Sequence, residues 1–128
     1  MEHSKVVVDT SIFIDFLRAS EKKNTELYNL SDRQKIYLSS VTLYELLMGA
    51  TNDLKRNDVR LLTENIIVLP FDEEVSVKAS ELYHDLRKTN KMIEFRDIFI
   101  AATCLVHNLP IITTNKIHFQ RIKGLDVL

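Results

Sequence analysis

Lys5-Val6-Val7-Val8-Asp9 is a short, continuous β-branched run closed by an acid, and its reading decides the architecture of the chain. A run of this kind suits a parallel strand buried on both faces. Thr10 and Ser11 follow with hydroxyls suited to capping a helix, and Ile12-Phe13-Ile14-Asp15-Phe16-Leu17 then reads as that helix. The opening unit is strand, acid, helix.

The alternation continues outward from it. A second helix is expected over about residues 22–30, ending near Ser31-Asp32, and a second short strand over residues 36–39. Ser40 is placed to cap a helix in which Leu43, Leu46, Leu47 and Ala50 recur at helical spacing. Glu45 lies off that stripe, free to face something other than the core. A charged helix over about residues 53–65 leads to a third strand at residues 66–69, closed by Pro70. Asp72 then caps a long amphipathic helix with Val75, Ala79, Leu82, Tyr83 and Leu86 on one face. After a basic turn at residues 87–91, a helix over about residues 96–107 is apolar nearly all round, which predicts a central position. Asn108-Leu109-Pro110 ends it, Ile111-Ile112-Thr113 is the fourth strand, and Val127-Leu128 is a short fifth. Strands alternating with helices, without hairpin signals, indicate an α/β domain with a parallel sheet. In open sheets of this kind ligands bind beyond the carboxyl ends of the strands, where strand order switches direction.

Composition bounds the answer further. The 128 residues fit one domain, residues 1–128, and 45% hydrophobic with 27% charged residues is the balance of a globular protein. Two glycines and two prolines leave little room for long flexible linkers. The single cysteine, Cys104, excludes an internal disulfide and a Cys-rich zinc site, and its apolar neighbours mark it as a small buried hydrophobe. The start of the chain, Met1-Glu2-His3-Ser4-Lys5, carries no signal-peptide pattern, and the longest apolar stretch, residues 98–106, is too short to span a bilayer. A cytoplasmic location is expected. The formal net charge of -1 argues against a nucleic-acid coat protein held by many phosphate contacts. It leaves room for acidic residues that hold a metal beside basic residues that hold a phosphate backbone.

Four polar residues stand where the topology places chemistry. Asp9 ends the first strand, Glu45 lies in the helix after the second, Asp97 opens the central apolar helix, and Asn115 follows the fourth strand. Each alone has an ordinary explanation: a helix-terminal carboxylate, a solvated helix residue, a turn residue. As a set they demand more. Three carboxylates at one edge repel one another unless protonated or neutralised by a cation. A hard divalent ion such as Mg²⁺ resolves the conflict, and it can also orient and acidify a water and stabilise charge on a phosphodiester.

Four ordered stretches carry a family resemblance over essentially the whole chain. Val6-Val7-Val8-Asp9-Thr10-Ser11 resembles the opening motif of PIN domains, and Ser39-Ser40-Val41-Thr42-Leu43-Tyr44-Glu45-Leu46 resembles their second motif. Asp97-Ile98-Phe99-Ile100-Ala101-Ala102-Thr103 is similar to the third, and Ile112-Thr113-Thr114-Asn115 with His118-Phe119 to the fourth. Together with the length, the chain resembles VapC-type toxins of toxin–antitoxin pairs. The resemblance implies a three-layer α/β/α sandwich with a short, mainly parallel central sheet. It also implies a Mg²⁺- or Mn²⁺-dependent endoribonuclease that leaves 5′-phosphate and 3′-hydroxyl ends.

Asp9, Glu45 and Asp97 inherit the metal-ligand roles on that resemblance, with Thr10, Ser11 and Thr113 in support. Asn115 stands where many members carry a further acid. Its neutral amide removes one negative charge, so one well-bound ion is expected. Glu94 is a secondary acidic candidate, and Asp15 reads as an exposed helix position. His118 reads as a cap or a phosphate contact rather than a general base. Arg96, Lys116, His118, Arg121 and Lys123 are candidate RNA contacts, with Arg87, Lys88 and Lys91 as a second group. Single-stranded or loop RNA suits such a site because unstacked nucleotides can approach it. A homodimer and a cognate antitoxin are further implications, with Phe13, Phe16, Tyr44 and Leu47 as candidate apolar contacts.

Two other readings compete. A PIN scaffold that binds RNA or protein without cutting draws support from the neutral residue at position 115. A phosphorelay receiver would use Asp72 as phosphoacceptor and Lys116 as its lysine, but leaves Glu45 and Asp97 without a role.

Overall fold

A computed structural model of the protein describes residues 4–30 and 32–128. Its sheet has four strands, β1 (Lys5–Val8), β2 (Lys35–Ser39), β3 (Ile67–Leu69) and β4 (Ile111–Ile112), in the order β3-β2-β1-β4. Every pairing is parallel: Val7 lies opposite Tyr37 on one side and opposite Ile111 on the other. β1 is therefore central, as its three fully buried valines require.

The helices are α1 (Thr10–Arg18), α2 (Glu26–Leu30), α3 (Ser40–Gly49), α4 (Asp53–Thr63), α5 (Glu73–Lys88), α6 (Phe95–Val106) and α7 (Lys116–Phe119). They divide between the two faces of the sheet. Alternation along β1 sends Val6 and Val8 into a cluster with Ile12, Phe13, Leu27 and Leu46 from α1, α2 and α3. Val7 points the other way, into a cluster with Val75, Leu82, Ile98 and Ala101 from α5 and α6. The result is the expected α/β/α sandwich. α6 is the most buried helix of the second layer, and Cys104 lies fully inside it, where burial pushes the thiol far up from its ordinary pKa.

Several local expectations shift. Thr10 and Ser11 lie inside α1, and Asp9 takes the N-cap position without a side-chain cap hydrogen bond. The helix expected over residues 22–30 is a 3₁₀ turn, Lys22–Asn24, followed by α2, because Thr25 turns its hydroxyl back to the Lys22 carbonyl at 2.6 Å. Its expected end at Ser31 and the opening Met1–His3 lie outside the described residues. Ser39 rather than Ser40 caps α3, its hydroxyl accepting the Thr42 amide at 3.0 Å. Ser40 instead accepts the Phe71 amide at 3.0 Å, tying α3 to the end of β3. Leu47, expected in the core stripe, is exposed, whereas Leu46 and Ala50 are buried. Asp72 caps α5 as expected, accepting the Val75 amide at 3.0 Å. The fifth strand reduces to one parallel bridge between Val127 and Ile111, and α7 had no sequence counterpart.

Ser39 is buried and holds the first turn of the helix that carries Glu45. Ser39→Ala is expected to lower unfolding stability by about 1–2 kcal/mol, measured as a lower urea midpoint at unchanged slope.

Candidate active site

Strand order switches direction between β1 and β4, since the chain leaves β1 toward β2 and β3 and returns on the opposite side. The carboxyl ends of β1 and β4 thus bound the crevice where this class of sheet places its ligands. The Asp9 amide donates to the Ile112 carbonyl at 3.0 Å, which sets Asp9 and Thr113 side by side. Thr113 donates its hydroxyl to Asp9 Oδ2 at 2.6 Å and accepts the Asn115 amide at 2.9 Å. Ser11 donates to the same carboxylate oxygen at 3.3 Å and accepts the Thr114 amide. Asp9 is buried among these hydroxyls, so its ordinary explanation as a helix cap does not hold.

Glu45 enters from α3. Thr42 and Leu46 face inward on that helix, and the Glu45 side chain is 12% exposed. Thr10 donates to Glu45 Oε1 at 2.6 Å, and Arg96 Nε stands 3.4 Å from Oε2. Behind Thr10, the hydroxyls of Thr42 and Ser39 continue a buried polar chain at 3.1 and 3.3 Å.

Asp97 lies in the first turn of α6, buried although it is charged. Its Oδ2 is 3.5 Å from Asn115 Nδ2 and 3.6 Å from His118 Nδ1, and the Asn115 and His118 nitrogens are 2.8 Å apart. Three separate elements therefore deliver Asp9, Glu45 and Asp97 to one edge.

The electrostatics record their proximity. Burial holds the Asp9 carboxyl above its ordinary 3.8, against the bonds from the Thr113 hydroxyl, the Thr10 backbone amide and the Ser11 hydroxyl, and the charge of Glu45 pushes it further up. Burial raises Asp97 as well, followed by the charge on Asp9, with Arg96 opposing. Among the described residues, no group of three or more His, Cys, Asp or Glu side chains is arranged to hold a metal directly. The donor set still fits a hard cation that keeps much of its water and takes one or two carboxylates, the habit of Mg²⁺. Asp9 and Asp97 are buried, oxygen-bearing and coupled through their charges.

The remaining candidates sort as follows. Glu94 is exposed and pairs with Arg96 at 3.3 Å, and it affects Asp97 through its charge. Arg96 bridges Glu94 and Glu45 with 54% of its side chain exposed. Lys116 and Lys123 are exposed, as is Asp15. Arg121 donates to the Met92 carbonyl at 3.0 Å and so fastens α7 to the segment before α6. Asp72 is engaged as a cap, which gives it a structural role where the receiver reading needed a phosphoacceptor. Thr42 and Ser39 went unassigned in the sequence, although the hydroxyl-rich approach to Glu45 was the signal that marked them.

A family model described as PIN domain matches residues 6–125. The chain is 31% identical over 128 residues to ribonuclease VapC1 of Methanocaldococcus jannaschii, covering 98% of this chain and 88% of that protein. It is 32% identical over 130 residues to ribonuclease VapC1 of Rickettsia felis, covering 96% and 94%. Among solved structures, VapBC-1 from nontypeable Haemophilus influenzae superposes with a TM-score of 0.83 at 27% identity, covering 97% of this chain and 96% of that one.

Because both carboxyls titrate above 3.8 when folded, the folded chain retains protons that the unfolded chain releases as pH rises past that value. Stability from these groups is complete below 3.8 and is lost as pH climbs through the raised folded-state values. In EDTA, Asp9→Asn is expected to gain stability relative to the parent protein as pH rises from about 4 to about 7.5. Urea unfolding at each pH measures it, and a pH-independent difference would refute the charge burden assigned to Asp9.

Proposed function

The chain belongs to the PIN-domain family, and on that premise we propose that it is a divalent-metal-dependent endoribonuclease of the VapC type, the toxin of a toxin–antitoxin pair. The observation that carries the reading is the convergence of Asp9, Glu45 and Asp97 at the β1–β4 switch point with their charges coupled. The printed names of the relatives, ribonuclease VapC1 in two organisms, support it. In this reading residues 1–128 form one PIN domain that works in the cytoplasm on single-stranded or loop RNA. No helix among the described residues is long and apolar enough to cross a membrane.

One Mg²⁺ or Mn²⁺ is assigned to Asp9, Asp97 and Glu45, with at most two of the carboxylates binding it directly and the remainder acting through its water. Such an ion would supply Lewis-acid stabilisation of the phosphodiester and would lower the pKa of a water it holds. The chain's own residues do the positioning. Thr113 and Ser11 fix the Asp9 carboxylate, and Thr10 and Arg96 hold the two oxygens of Glu45. Arg96 and Lys116 offer cationic groups to the RNA backbone at the rim, and neither is buried. Arg121 contributes indirectly, through the loop it fastens.

The partners find surfaces of different kinds. An apolar groove of about 400 Å³ between α1, α3 and α4 is lined by Ile14, Leu17, Leu46, Leu54 and Val59 and reaches Glu45. It suits an antitoxin segment that closes over the site. Of the apolar contacts read from the sequence, Phe13 is fully buried in the core and Phe16 packs against it, whereas Tyr44 and Leu47 remain outside. Tyr44 and Leu47 are assigned to the homodimer or antitoxin contact.

The test is cleavage of a mixed small-RNA pool by purified, antitoxin-free protein in Mn²⁺, Mg²⁺ or EDTA, beside Asp97→Ala. Metal-dependent fragments are expected, with a loss in the variant greater than the roughly 10–100-fold typical of outer-sphere metal partners. Cleavage that persists in EDTA, or in folded Asp97→Ala, would defeat the assignment.

A further inference from the structure

We propose that the basic groove between the end of α5 and the chain beyond α7 binds backbone phosphates of the RNA strand on the flank of the acidic site. The choice of RNA rests on the ribonuclease reading; the preference for a polyanion rests on the groove itself.

The groove has a volume of about 460 Å³ and is lined by five cations, Lys78, Lys88, Lys91, Arg121 and Lys123, against two acids. One acid, Glu81, is paired with Lys78 at 3.2 Å, and the other is Asp85. Lys88, Lys91 and Lys123 are exposed and have no carboxylate partner among the described residues. A lysine in the last turn of a helix, such as Lys88, is ordinary, because it faces the negative end of the helix dipole. Lys91 and Lys123 lie outside the helices and come from segments far apart in the chain, so that explanation does not cover them. Arg87, grouped with Lys88 and Lys91 in the sequence, instead lies over the Tyr83 ring at 6.0 Å. The whole chain carries a formal net charge of -1, so the excess of positive charge is local to the groove. Cations of one sign gathered along a concave surface raise the local concentration of anions.

The walls are held from below and from the side. Leu82, Leu86 and Ile122 on the floor are buried. Asn90 takes a left-handed backbone with φ 57°, and the Lys91 amide returns to the Leu86 carbonyl at 2.9 Å, which closes the turn carrying Lys88 and Lys91. Arg121 donates to the Met92 carbonyl at 3.0 Å and ties that turn to the opposite wall. The same residue fixes the groove beside the acids. Its amide donates to the His118 carbonyl at 3.2 Å, and the His118 ring stands 3.6 Å from Asp97 Oδ2. A strand lying across the acidic edge therefore passes the groove, where its phosphates meet cations rather than carboxylates. Such contacts position a strand without reading its sequence.

A short single-stranded RNA of random sequence therefore serves as the probe, bound to the full chain in EDTA. Its affinity is measured against monovalent salt, where each phosphate contact on a single strand contributes about 0.7 to the slope of log K against log salt. Lys88→Gln/Lys123→Gln is expected to weaken binding and to flatten that slope by about 0.7 per lysine. Lys5→Gln/Lys35→Gln removes the same charge where β1 and β2 begin, at the edge of the sheet opposite the acids, and is expected to leave the slope near that of the parent. Arg121 stays intact in both variants, since it also fastens the groove. Equal slopes in the parent and the groove variant, or equal flattening in the two variants, would overturn the proposal. A loss of binding toward poly-glutamate but not toward RNA would overturn it in favour of an acidic protein segment. Parent protein that shows the groove-dependent slope yet cuts no RNA in Mg²⁺ or Mn²⁺ would defeat the ribonuclease reading and leave the RNA-binding groove standing.

Discussion

Like charge brought to one place is the constraint on which the rest of this structure turns. Asp9 and Asp97 are buried, each is raised by burial, and the charges of Glu45 and Asp9 add to the difficulty. The surrounding groups hold the acids mainly with hydroxyls, from Thr10, Ser11 and Thr113, rather than with cations. A hydroxyl donor orients a carboxylate while leaving its charge in place, whereas an ammonium or guanidinium would quench it. Arg96 does pair with Glu45, but it is shared with Glu94 and half exposed. The site therefore keeps both a defined shape and an unmet demand for positive charge, the combination a hard cation answers.

The scaffold makes that strain affordable. Asp9 precedes α1, Glu45 sits within α3 and Asp97 lies in the first turn of α6, so each acid is carried by a rigid element. Those helices are packed from opposite faces against a sheet whose central strand is entirely buried. Sites built on such elements hold their geometry better than sites on loops. The amino-terminal ends of α1 and α6 also present partial positive charge to the neighbouring acids.

Much of this was legible in the residues, for identifiable reasons. The β-branched run at Val6–Val8 and the helical spacing of Val75, Ala79, Leu82 and Leu86 are local signals, and they gave the strand–helix alternation and the sandwich. The acidic set was legible because its members stand where strands end and helices begin. What escaped depends on distant partners. Ser39 and Ser40 are equally able to cap α3, and the choice turns on Ser40 being needed by the Phe71 amide. Arg121 looked like a free cation because the carbonyls it meets belong to a loop far back in the chain. The asparagine at 115 reads as a missing acid, yet its side-chain nitrogen stands 3.5 Å from Asp97 Oδ2 and 2.8 Å from His118 Nδ1. Leu47 fits the helical stripe by spacing alone and still faces outward.

The bond from Thr113 to Asp9 joins residues 104 positions apart. Pairing across so long a stretch is a slow, entropically costly event in folding. Synthesis proceeds from the amino terminus, so a chain emerging from the ribosome carries Asp9, Glu45 and Asp97 before it carries the strand that clamps the first of them. The three acids can exist for a time as an unfinished set. The carboxylate at the first strand is held only by a residue near the far end of the chain, so the shape of the site depends on nearly its whole length.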